Sequence, residues 1–149
     1  MGFYNSVEVS ASGLSAERLR MDVIANNIAN VNSTHGGPGG GTFKRQLVVF
    51  SQKADTPDNQ TDSLDGQDAG YGQAGVEAMG IVSDPAPDKL VFDPTNPDAD
   101  PRGYVHMPNI EVVKEMVDMM SASRAYEANV TAIQEARNMG NAALNLLRS

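Results

Sequence analysis

The chain has 149 residues, 20% of them charged, a net charge of -8 at pH 7 and no cysteine. The acidic balance, with no basic stripe, argues against nucleic-acid binding, and the missing thiols exclude a disulfide framework, a thiolate metal site and a cysteine nucleophile. Residues 1–34 and 109–149 each sum to -1 while residues 35–108 sum to -6, so the near-neutral ends are expected to face protein and the acidic middle to face solvent.

The N-terminal MGFYNSVEVSASG has no basic segment leading into an apolar one, and no apolar run approaches the roughly 20 residues of a membrane span. Export, if it occurs, is expected to use a route without a cleaved leader. MGFYNS fits the permissive myristoylation pattern, but no basic patch supplies the second anchor that stable membrane attachment needs.

The first predicted element is a helix over about residues 12–31, roughly 30 Å long, with Ser12 or Ser15 as its cap. Phe3, Val7, Leu14, Met21, Ile24, Ile28 and Val31 follow the alternating four-three step of a coiled-coil seam, broken by Ser10 and Glu17. Its end, ANNIANVNST, holds Asn26, Asn27, Asn30 and Asn32, each a poor helix former whose amide competes with the backbone. Packing must compensate.

All eight prolines and eleven of the fourteen glycines fall in residues 35–108, which excludes long helix there. Residues 43–50, 76–82, 89–92 and 103–107 read as short strands, rich in β-branched or aromatic side chains and bounded by turn residues. Residues 51–73 read as a long exposed loop. The last element is a helix over residues 109–147, on the order of 58 Å long, announced by Pro108, Asn109 as its cap and Glu111 in the first turn. Val112, Met116, Met119, Tyr126, Val130, Ile133, Leu144 and Leu147 fall on one heptad series, and Asn138, Asn141 and Asn145 recur at three- and four-residue steps.

The polar middle cannot bury two such seams, so the ends must pair as an antiparallel, coiled-coil-like hairpin of helices. The longer C-terminal helix then keeps apolar surface for further copies. The fold class is therefore mainly α with a small β-rich middle region, residues 1–34 and 109–149 forming the helix pair and 35–108 the strand-and-loop region. Misaligned amides in an interface are left unsatisfied, so the asparagines can fix the register between helices; facing solvent or capping helix ends is the other role open to them. The expected subunit interface comprises Leu14, Met21, Ile24, Ile28 and Val31 with Asn26, Asn27, Asn30 and Asn32. From the last helix it takes Met116, Met119, Tyr126, Val130, Ile133, Asn138, Asn141, Leu144 and Leu147.

No catalytic, cofactor or metal site assembles. GGPGGGTFK has Thr42 where a phosphate loop needs lysine, and follows a helix rather than a strand. His35-Gly36-Gly37 lacks any G-x-S-x-G elbow to complete an esterase site. His35 and His106 are the only histidines, too few for a metal cluster or triad, and the aspartates of DSLDGQD and DADPRG lack calcium-loop spacing. Met116, Met119 and Met120 read as adaptable packing rather than a promiscuous groove.

SASGLSAERLRMDVIANNIANVNST, residues 10–34, resembles the N-terminal motif of bacterial flagellar axial proteins of the rod, hook and hook-associated families. Residues 87–130 together with FKRQLVVF are similar to proximal-rod members of the flagellar basal-body rod protein family, and the resemblance covers roughly two-thirds of the chain. It implies a non-enzymatic structural subunit of the proximal rod, part of the drive shaft that transmits torque towards the hook. The implied subunit is exported by the flagellar type III apparatus without a cleaved signal and assembled in the periplasm. The terminal helices would form an inner tube around the export channel, with the β-rich part outside. Its implied partners are further copies, other rod proteins and, at the base, the MS-ring and its junction protein. Alternatives are another axial rod or hook-family subunit, or a helical adaptor. One departure is HGGPGGG at 35–41, richer in glycine than that family's connection.

Overall fold

The computed structural model describes residues 2–36, 41–53 and 75–148, the side chains of residues 2–5, 147 and 148 excepted. Helix α1 spans Gly2–Ala29, strand β1 Gln46–Gln52, β2 Val76–Ser83, β3 Lys89–Phe92, β4 Tyr104–Met107 and helix α2 Val112–Arg148. The expected mainly α chain with a β-rich middle is what is found. Residues 37–40 of the nucleotide-loop motif and most of the 51–73 loop lie outside the described residues.

Helix α1 begins ten residues before the expected start. Ser12 and Ser15 do not cap it, because their hydroxyls turn back onto the helix's own carbonyls, Ser12 Oγ on Val9 O at 2.7 Å and Ser15 Oγ on Ala11 O at 3.2 Å. Bonded in that way, serine is tolerated inside a helix. At the other end the Asn30 amide is shared between the carbonyls of Asn26 and Asn27, and Val31 N–H reaches Ile28 O, the tightened last turn common at helix ends. Helix α2 starts later than expected. Its opening bond runs from Glu115 N–H to Glu111 O at 3.0 Å, so Asn109 stands before the helix and does not cap it.

The helices are antiparallel. Asn27 meets Glu115, a Cβ on Gly13 would meet Asn129, and the two numbers of each pair add to the same total, which fixes one register over four turns. On that pairing, residues of α2 beyond about Gly140 run past the beginning of α1. At 28 and 37 residues the helices are about 42 and 55 Å long, closer in length than expected.

Strands β1 and β2 pair antiparallel, with a bulge at Val49/Phe50 that leaves Met79 without a partner position. Gln46, Val48 and Phe50 form the half-buried face of β1, while Leu47 and Val49 point out. Hydrogen bonds join this ribbon to α1 at two points, and Lys53 pairs with Glu8 at 3.6 Å. Val76 N–H donates to Ser12 Oγ at 3.0 Å, and Gln46 exchanges two bonds with Asn27. A Cβ on Gly75 would lie 2.3 Å from Ser12 Oγ, so Gly75→Ala is expected to break the first joint. Amide exchange at Val76 should then quicken while that at Gln46 is unchanged.

Strands β3 and β4 form a second antiparallel hairpin, closed by an edge-to-face contact of Phe92 and Tyr104 at 5.3 Å. Its long turn is held by side chains. Asp93 Oδ1 accepts from both the backbone and the hydroxyl of Thr95, Asn96 Oδ1 from Asp98 N–H, and Gly103 takes a positive φ of 80° beneath the Phe92 ring. The two Thr95 bonds, the side-chain one foremost, hold the Asp93 carboxyl below its ordinary value of 3.8. A depressed carboxyl stabilises above its unfolded value and loses that contribution as pH falls through the folded one. The Asp93–Thr95 turn is therefore expected to persist down to the lower end of the carboxylate range and open only beneath it, as carboxyl chemical shifts would record. Val105 buries the inner side of the hairpin, and Thr34–Asp98 and Lys44–Asp88 tie it to the rest of the chain.

Candidate assembly interface

The seam between the helices is made largely of small and polar side chains, with Val23 as its larger apolar member. On α1 it runs through Gly13, Ala16, Val23 and Asn27; on α2 it runs through Glu115, Ala122, Asn129 and Ala136, each seven residues from the next. Ala16, Val23, Ala122 and Ala136 are buried. Small residues let the backbones come close, and Gly13 shows how close, since a Cβ there would sit 2.9 Å from Asn129 Nδ2. Gly13→Leu is expected to push the helices apart at a cost of about 1–3 kcal/mol, read as a lower thermal midpoint by circular dichroism.

At the loop end the seam closes on a buried polar node. Glu115 is fully buried in the first turn of α2 and accepts from Asn27 Nδ2 at 3.1 Å and from Arg45 Nε at 2.6 Å. Arg45, from the segment leading into β1, also reaches Asp118 at 3.4 Å and Asp84 at 3.9 Å. Asn27 completes the circuit, donating to Gln46 O at 2.8 Å and accepting from Gln46 N–H at 2.9 Å. One amide thus binds α1 to α2 and to β1 together. A wrong register of either helix would strand Glu115 in the interior, a cost of several kcal/mol, so the node selects a single alignment.

Both seams differ from the apolar stripes by one residue. Met119, Tyr126, Val130 and Ile133 are half-buried, whereas Met116 is exposed. On α1, Ile24 is buried and Leu14, Met21, Ile28 and Val31 are half-buried. Asn27 is consumed inside the chain. Asn26 is exposed yet accepts from Asn30 Nδ2 at 2.8 Å, and Asn30 in turn accepts from Ser33, so these amides finish the helix end; Asn32 is exposed. Asn138, Asn141 and Leu144 are exposed, and the side chain of Leu147 lies outside those described. Sequence reasoning missed Arg45, Glu115, Ala122 and Ala136. Glu115, Ala122, Asn129 and Ala136 stand seven residues apart, but no apolar pattern marks that series, and nothing in it points to Arg45.

What remains is a helix pair that satisfies itself with small residues and turns large apolar ones outward. Val113, Met116, Val117 and Met120 near the start of α2, and Met139 and Leu144 near its end, are all more than half exposed. Contiguous apolar exposure of this kind marks a protein-facing surface. No described helix is long and apolar enough to cross a membrane.

Comparison with known proteins decides which assembly is at issue. Residues 8–36 match the family described as flagella basal body rod protein, and residues 102–146 match the one described as flagellar basal body rod FlgEFG protein C-terminal. The chain is 46% identical to the flagellar basal-body rod protein FlgC of Borreliella burgdorferi, over 99% of each chain. It belongs to the FlgC family of flagellar basal-body rod proteins. It is 40% identical to FlgC of Bacillus subtilis over 98% of this chain and 99% of the relative, and 40% identical to FlgC of Salmonella typhimurium over 93% of each. As a FlgC-family member the chain is a structural rod subunit and not an enzyme, and the two matched segments cover most of α1 and the β4–α2 region. Membership makes self-association and contact with other rod components its business.

Proposed function

We propose that this FlgC-family chain is a subunit of the proximal rod. Its helix pair forms the inner tube around the export channel, and the region 35–108 lies outside. The observation that carries this reading is the exposed apolar surface on α2, beside a seam already closed by small and polar residues. A soluble monomer gains nothing from such a surface, whereas a tube wall built of parallel helix pairs buries it. The charge division agrees, since the acidic middle suits the solvent side and the near-neutral helices suit contact with protein.

In this reading the chain leaves the cytoplasm through the flagellar type III apparatus without a cleaved signal and takes its place in the periplasmic part of the basal body. There it meets further copies and other rod proteins, with the MS-ring and its junction protein at the base. The interface draws on the exposed or half-exposed members of the two stripes, Leu14, Met21, Ile28, Val31, Met116, Met119, Tyr126, Val130, Ile133 and Leu144, with the exposed Asn138 and Asn141 beside them. Ile24 and Asn27 act within the chain.

The test is a double change, Met116→Glu with Val117→Lys, introduced into a strain lacking the native copy. Both positions are exposed, so circular dichroism and thermal midpoint should match the unchanged protein, while motility and recoverable rods are lost. Normal swimming would refute the proposal.

A further inference from the structure

All the sulfur in the chain is thioether, since it has eight methionines and no cysteine. A two-electron oxidant therefore meets methionine with no thiol in the chain to intercept it. Exposure divides the described methionines. Met79, Met116, Met120 and Met139 are 74%, 55%, 55% and 63% exposed, while Met21, Met107 and Met119 are half-buried.

Among the exposed four, Met116 and Met120 stand one turn apart on one face of α2. Val113 precedes the first by three residues and Val117 precedes the second by three, both more than half exposed, so the two thioethers make up half of one apolar face. Oxidation changes that face in kind. A sulfoxide is polar and chiral where the thioether is apolar and pliable, and it brings a strong acceptor oxygen that a buried contact must satisfy or leave unpaired.

We propose that Met116 and Met120 form a reversible oxidation site that governs whether a free chain can join the assembly, with a peroxide as the oxidant. The thioether sulfur gives an electron pair to one peroxide oxygen, the S–O bond forms as the O–O bond breaks, and the second oxygen leaves as water with both protons. Sulfur is oxidised by two electrons and the peroxide reduced by two. Sulfoxide reductases, drawing two electrons from thiols, return the thioether and release the oxygen as water. This inference rests on the rod-subunit reading, which puts Met116 in the interface, and adds a chemical control over that contact. Assembled copies are shielded from it, so the site acts on chains that have not yet assembled.

Reactivity is read on the full chain with hydrogen peroxide and mass spectrometry. Met116 and Met120 are expected to take up oxygen about fivefold faster than Met119 and Met21, and sulfoxide reductases with a thiol reductant to reverse it. The consequence is read in a strain lacking the native copy, with Met116→Gln and Met120→Gln together supplying a polar oxygen in place of the sulfoxide. Both positions are exposed, so circular dichroism should be unchanged. Recoverable rods should fall at least about tenfold, the effect of one polar group left unpaired in a buried contact. Met116→Leu with Met120→Leu, apolar and of similar volume, should leave them unchanged, as should Met79→Gln. Normal rods from the glutamine pair would overturn the proposal, as would equal loss from the leucine pair or from Met79→Gln, or Met116 and Met120 reacting no faster than Met119. The Met116→Glu, Val117→Lys chain separates the failures. Rods lost there but kept with the glutamine pair reject the oxidation site and leave the rod reading standing, and rods kept in both reject both.

Discussion

Replacing Arg45 by alanine is expected to be the most damaging single change in the chain, costing about 3–5 kcal/mol. It removes the cation from Glu115, which is fully buried and would retain only the Asn27 amide. The loss follows from leaving a charge in the interior and does not measure what the intact pair contributes. Denaturant unfolding of Arg45→Ala should therefore show a much lower midpoint. The companion Asn27→Ala should cost less, since Arg45 still neutralises Glu115, but it unpairs both backbone groups of Gln46 and should free β1 from the helices. Exchange at Gln46 and Leu47 would report that. Replacing Arg45 and Glu115 together by methionine and leucine should recover much of the stability, as apolar residues often do at buried ion pairs. An Arg45→Ala midpoint equal to that of the unchanged chain would show that the node does not hold the fold.

Deleting residues 142–149 is expected to do the reverse, leaving the fold nearly intact and abolishing assembly. Residues 142–148 lie past the beginning of α1, and 142–146 are exposed. The seam from Asn27–Glu115 to Gly13–Asn129 and both hairpins are untouched by their loss. Thermal unfolding should shift little, while rods and motility vanish. A truncated chain that unfolds tens of degrees earlier would mean that the end of α2 belongs to the monomer's own fold, and one that builds normal rods would mean that it has no role in assembly.

Much of the architecture was legible in the sequence. Strands at 89–92 and 76–82 stand out because β-branched and aromatic residues are bracketed by glycine, proline and aspartate, and the observed β3 and β2 follow them closely. The helix pair and its antiparallel sense followed from two stripes with no other place to be buried. The true seam was not legible, for a physical reason. Hydrophobic periodicity finds large side chains, yet close helix packing in this chain is made by Gly13, Ala16, Ala122 and Ala136, which have little side chain to register. Glu115 was invisible for the opposite reason, since a carboxylate in a first helical turn ordinarily faces water, and its burial is made tolerable by Arg45, seventy residues away, together with the Asn27 amide. Ser12 misled because a serine before a helical pattern reads as a cap, while here it binds backward to Val9 and sideways to Val76. The asparagines were read as needing compensation from packing, yet Asn26 and Asn30 finish the helix end and Asn32 is exposed. For Asn27 that compensation comes from the same chain.

The account rests on one division of labour, with small and polar residues beside Val23 and Ile24 closing the chain on itself and the exposed apolar residues of α2 facing other subunits. Methionine oxidation tests it directly, because oxidation follows exposure and the methionines sit on different surfaces. Met116 and Met120 flank the seam on α2, and Met79 stands 74% exposed on β2. Peroxide treatment of the free chain and of purified basal bodies, read by mass spectrometry, should show Met116 and Met120 protected about tenfold on assembly while Met79 stays reactive. Equal oxidation of Met116 and Met120 in the free and assembled states would contradict the account.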